Sequence, residues 1–129
     1  MSTLAERQAA LVATLVAGAP VPPGFDARLV GVARTALLRK RAGEVERHWP
    51  VLAASFRGEW KAKFAAWADG RPSNGSLRDG WDFARSRTLS GAAAAELAER
   101  EALWVYDGTS APTRRPRPAA AVRLWWSRR

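Results

Sequence analysis

The chain reads as an all-α protein: a small orthogonal helical bundle of about five or six helices with a basic, extended C-terminal tail. Three observations predict this. Leu38, Val45, Trp49, Leu52 and Phe56 recur at steps of seven, four, three and four, and Trp60, Phe64 and Trp67 at steps of four and three, which is helix spacing. Gly18, Pro20, Pro50, Gly58 and Gly70 fall between the periodic stretches, where helices end. Residues 1–111 hold 15 Lys/Arg against 12 Asp/Glu, a net +3, whereas residues 112–129 hold six Arg and no acid, a net +6. The expected organisation is therefore a helical domain over 1–108 and an Arg/Pro/Trp-rich tail over 109–129.

Thr3 followed by Glu6 fits a capping box, and Leu4, Leu11 and Leu15 then give an amphipathic first helix to about Ala17. Residues 18–24, GAPVPPG, make a stiff connection. Asp26 can cap a second helix whose inward residues are read as Leu29, Val32 or Ala33, Ala36 and Leu37. Pro50 lacks an amide hydrogen, so the helix breaks near Trp49 and a second one leaves at an angle. Trp49, Phe56, Phe64 and Trp67 are expected to share one core. After Trp67, Asp69 and Gly70 stop the next helix, and GRPSNGS over 70–76 forms a polar loop. Asp79 is read as the cap of a short helix bearing Trp81 and Phe83, with Trp81 either packed on Trp67 or standing out as a contact residue. Ser90 caps the run AAAAELAEREALWVY, in which Glu99, Arg100 and Glu101 are read as solvated. TSAPTRRPRP over 109–118 is expected to be extended or disordered. Val122, Leu124, Trp125 and Trp126 then either fold back on the helices or anchor a partner.

The composition narrows the chemistry. There is no cysteine, so a disulfide framework and a thiolate zinc site are excluded. His48 is the one histidine, with no Ser–Asp partner or ligand spacing beside it, so no catalytic triad or metal centre is legible. The 70–76 loop is not a phosphate loop, because no Lys-Ser/Thr pair follows it. No cofactor is expected. No secretory signal pattern is evident and no run approaches membrane-spanning length, so a cytoplasmic chain without a transmembrane segment is expected.

Two sets of residues are candidates for binding. Loops on a packed scaffold often carry contacts, and arginine and tryptophan are favoured at interfaces. Arg71, Asn74, Trp81, Arg115, Arg117, Trp125 and Trp126 are thus the candidates for a protein partner. The alternative partner is nucleic acid, through Arg39, Lys40, Arg41, Arg114, Arg115, Arg117, Arg128 and Arg129. Glu44 and Glu46 lie beside the basic run of the second helix, so DNA binding is expected to be weak and to reside mainly in the tail.

The order of several pieces resembles one family. They are Leu38 to Arg41, His48-Trp49-Pro50, Phe64 to Trp67, Gly70-Arg71-Pro72, Leu77-Arg78-Asp79-Gly80-Trp81-Asp82-Phe83 and Leu97 to Trp104. Over about residues 4–107 the chain resembles the N-terminal domain of the HvfC/BufC family, which also carries an older DNA-binding label. The resemblance implies a helical accessory protein, not itself an enzyme. Its implied partner is a multinuclear non-haem iron enzyme that modifies cysteines of a ribosomal precursor peptide, and the peptide itself is a second implied partner. The family's usual second domain has no counterpart here, the Arg/Trp tail standing in its place, and tyrosines common in the family are missing around residues 36–40 and at 80.

Overall fold

The computed structural model describes residues 3–116, and its first two helices begin where side chains satisfy free amides. Helix α1 (Leu4–Ala17) has the full capping box: Thr3 Oγ1 accepts from Glu6 N, and Thr3 N donates to the Glu6 carboxylate. Helix α2 (Ala27–His48) starts on Asp26, whose carboxylate accepts from Arg28 N at 2.8 Å and Leu29 N at 3.2 Å. Trp49 breaks from helical geometry, and α3 (Pro50–Ala54) restarts with proline in its first turn, where the missing amide costs nothing. Helices α4 (Trp60–Ala68), α5 (Ser76–Arg85) and α6 (Gly91–Leu103) follow. The protein is helical in class, with one departure. Strands β1 (Trp104–Val105) and β2 (Thr113–Arg114) pair antiparallel, Trp104 opposite Arg114 and Val105 opposite Thr113. Trp104 and Val105 therefore leave the helix expected to contain them. Aromatic and β-branched residues suit extended backbone, and Arg115 N donates to Leu103 O to seal the end.

The core lies where α2, α4 and α5 meet. Phe83 is its hub, with ring centroids 5.1–6.0 Å from those of Phe56, Trp60, Phe64 and Trp67. Trp49, Phe64, Trp60, Trp81 and Phe83 are buried, while Phe56 and Trp67 pack on the cluster from its edge and stay partly exposed. The shared core expected for Trp49, Phe56, Phe64 and Trp67 thus exists, with two members at its rim. Buried indole N–H groups all find acceptors: Trp49 donates to Leu77 O, Trp60 to Ala42 O and Trp81 to Glu101.

Three sequence expectations are corrected here. The inward face of α2 runs through Val30, Leu38, Arg41, Ala42 and Val45, and not through Leu29, Val32, Ala33 and Ala36, which are exposed. Helix α1 packs on α2 and covers Val30, whereas Leu29, Val32, Ala33 and Ala36 stay in solvent. Asp79 does not cap α5. Gly75 precedes the helix with φ 94°, a conformation that glycine adopts without strain, and Asp79 sits a turn inside, buried. Trp81 does not pack on Trp67. It meets Trp49 edge-on and Tyr106 at a tilt, with centroids at 5.8 and 4.9 Å, leaving no surface for a partner.

Candidate functional site

The loop between α4 and α5 is held from below by one buried ion pair. Arg41, projecting from α2, donates from one terminal nitrogen to Asp79 at 3.3 Å and from the other to Arg71 O at 3.0 Å. Asp79 also accepts from Ser73 Oγ at 2.7 Å and Asn74 N at 3.1 Å. One carboxylate thus fixes two consecutive loop residues, Ser73 and Asn74, and Ser73 Oγ in turn accepts from Gly75 N. Removing one partner of such a buried pair leaves an uncompensated charge, at a typical cost of about 3–5 kcal/mol. Arg41 Nε–H is buried and finds no acceptor among the described residues.

Arg71 stands on the outer side of this frame. Its guanidinium lies 4.7 Å over the Trp67 ring and its Nε–H donates to Trp67 O, so its direction is set although the residue is exposed. Arg71, Pro72 and Asn74 form one wall of a groove of about 430 Å³; Asp82, Arg85, Ser86 and Gly108 form the other. The far wall is braced as well. Arg85 makes a two-pronged bond to Glu101 at 2.8 and 2.9 Å and donates to Tyr106 O. The hydrogen bond to Glu101 raises the Arg85 pKa above its usual value. Burial pushes the Glu101 carboxyl up, but the bonds from Arg85 and Trp81 outweigh it and hold the group below its usual range. Burial, then the bond donated to Asp82 at 2.8 Å, drives the Tyr106 hydroxyl up to about 12. The groove therefore offers fixed donors and acceptors in near charge balance. Such a lining suits the main chain and polar side chains of a polypeptide better than a strongly charged ligand.

The expected contact residues divide clearly. Arg71 and Asn74 come together on this groove. Trp81 is inside the core. Arg41 is the buried support of the loop and is not available to a phosphate, whereas Arg39 and Lys40 are exposed. Arg114 is exposed with its guanidinium 5.5 Å from the Trp104 ring, and Arg115 is half-buried and donates to Glu101 O at 3.0 Å. Arg117, Arg123, Trp125, Trp126, Arg128 and Arg129 lie outside the described residues. Asp82, Arg85 and Ser86 were not read as site residues. The i, i+3 spacing of Asp82 and Arg85 put them on one helical face, the one signal that could have drawn them to the groove. Glu101 and Arg100, expected to be solvated, are both engaged: Arg100 donates to His48 O and lies 4.8 Å over Trp49. Among the described residues no group of three or more His, Asp or Glu side chains gathers to hold a metal.

A small helical domain with a braced polar groove at one loop is the class defined by these features. The chain belongs to the SCO6045-like, C-terminal domain family, whose model matches residues 5–89. It is also similar to a UPF0276 protein of Streptomyces avermitilis, 40% identical over 117 residues that make up 88% of this chain and 24% of the relative. The chain thus spans about a quarter of the length of that curated relative. No solved structure matches it.

Proposed function

We propose that this domain is an accessory module that docks on a metal-dependent enzyme modifying cysteines of a ribosomal precursor peptide. One observation carries the reading: a region similar to nearly the whole chain forms only 24% of a UPF0276 protein, so a domain of this kind is found joined to a much larger body. The HvfC/BufC resemblance supports the nature of that body, a multinuclear non-haem iron enzyme acting in the cytoplasm. In this proposal the domain performs no catalysis and holds no cofactor. The groove beside Arg71 and Asn74 receives a segment of the peptide, with main-chain carbonyls facing the arginine donors and main-chain amides facing Asp82. The orthogonal arrangement of the bundle and the extended basic tail, with Trp125 and Trp126 as further contacts, belong to the same proposal.

The tail favours a second reading, nucleic-acid binding, because residues 112–129 contribute +6 of the net +9. One experiment separates the two. The tagged full chain is purified from its native host with and without nuclease, and co-purifying proteins are identified by mass spectrometry. A UPF0276-type polypeptide enriched over an untagged control, and retained after nuclease treatment, is the expected outcome. Recovery of nucleic acid with no such polypeptide overturns the accessory reading.

A further inference from the structure

A hairpin of two helices can bury one shared seam and no more. α1 packs chiefly on α2, and between them they enclose Val30, with Leu11 and Leu15 partly covered. The core proper begins only at Leu38. The hairpin is left with large apolar residues in solvent. Leu29 is 67% and Val32 62% exposed; Leu29 borders the seam with α1, beside Leu11, Leu15 and Ala33, and Val32 lies next to it round α2. Leu29 and Val32 are three residues apart and so lie on one side of α2. Val32 and Ala36 floor an open groove of about 710 Å³ whose rim carries Arg28, Arg34 and Arg39. Arg34 lies 3.4 Å from Asp69, and Arg28 and Arg39 form no salt bridge among the described residues. An apolar centre with a charged rim is the anatomy of a protein interface.

We propose that this face of the hairpin is the surface on which the larger UPF0276-type body docks, through an apolar patch bordered by carboxylates. The inference rests on the accessory reading above and adds the place of contact. Two observations select this occupant. The rim is basic, so a partner with acidic borders is steered and held, while a second copy of the same face meets arginine with arginine. The family match over residues 5–89 includes all of the hairpin but Leu4, and in the Streptomyces relative the similar region is covalently joined to that body. A tether keeps the two at high local concentration, so a face of modest affinity suffices. The groove beside Arg71 is a poor rival for the same role, since most of the side chains that line it are charged or polar.

The test uses the full chain and the purified UPF0276-type protein recovered with it, with affinity measured by calorimetry. The double variant Leu29→Glu/Val32→Glu is expected to bind at least tenfold more weakly while its melting temperature stays near that of the wild type, because both positions are exposed. Leu29→Ser/Val32→Ser provides the same reading with neutral side chains should the glutamates disturb the helix. Arg71→Ala/Asn74→Ala is expected to bind the body as the wild type does. If the wild-type chain binds and both hairpin variants bind equally well, the docking face is wrong and the accessory reading survives. If the wild-type chain shows no binding, the accessory reading itself fails and the docking face falls with it. A concentration-dependent dimer of the wild-type chain that the hairpin variants abolish also overturns the proposal, by giving the face to a second copy.

Discussion

Gly80 lets α5 lie close against α2. A Cβ at this position would fall on the Trp49 indole and within 2.8 Å of Val45 Cγ1. In the middle of a helix, replacing glycine by alanine ordinarily stabilises by about 0.5–1 kcal/mol. Here the added methyl must displace a buried tryptophan whose Nε1–H is already committed to Leu77 O at 2.9 Å. Overpacking of that kind costs about 1–3 kcal/mol, so the sign reverses. Gly80→Ala is expected to lower the melting temperature by several degrees, with the near-ultraviolet tryptophan signal altered. An alanine variant melting at or above the wild type would show that α5 does not cross α2 this tightly. The same residue shows what a single sequence can and cannot reveal. Position 80 is one where the chain departs from the tyrosine of the family it resembles; the residue that a side chain there would meet is Trp49, thirty-one residues earlier, and no local spacing points to it.

At the scale of the elements, local chemistry was legible and reciprocal chemistry was not. The capping box at Thr3, the Asp26 cap and the break at Pro50 depend on residues within one turn, and each was readable from the chain. The Arg41–Asp79 pair and the place of Trp81 depend on residues brought together from tens of positions apart, and the β1–β2 pairing on residues eight to ten apart. The face of α2 was misread for a related reason. Apolar residues lie on more than one side of its first half, and only the position of α1 decides which side is covered. Helix α6 illustrates how much one such contact carries. Glu101 joins α6 to α5 through Trp81 Nε1 at 2.9 Å and Arg85 Nε at 2.8 Å. Its carboxyl pKa in the folded state is held below the ordinary value of 4.5. A depressed acid contributes stability that is present above its unfolded pKa and is lost as pH falls through the folded value. Thermal melts from pH 6 down to pH 3 should therefore show a shallower decline for Glu101→Gln than for the wild type, from a lower starting point. Some acid dependence should persist, because amides of Ser110 and Thr109 hold Asp107 at about 2. Parallel curves for the two proteins would remove Glu101 from this role.

For the whole molecule, the charge is distributed so that the described helices are nearly balanced and the excess lies towards the C-terminus. Arg114 and Arg115 belong with the fold, one in β2 and the other anchored to Glu101 O. Removing residues 117–129 takes away Arg117, Arg123, Arg128 and Arg129 and leaves β2 in place. Fluorescence anisotropy on duplex DNA should then show weaker binding, with the slope of log affinity against log salt reduced by roughly 3–4 if each arginine meets a phosphate. Sequence-preferring binding that survives the truncation at physiological salt would instead assign nucleic-acid recognition to the helices. The helical part has its own long-range bond of a different kind. The first amides of α3, Val51 N and Leu52 N, donate at 3.0 and 2.8 Å to the carboxylate of Glu96 on α6. No local side chain caps this five-residue helix. A helix so short is not stable in isolation, and its cap is supplied only after the intervening chain has closed on itself, at an entropic cost that grows with the loop. The turn after Trp49 thus borrows its cap from a helix more than forty residues further along the chain, so its direction is tied to the seating of α6.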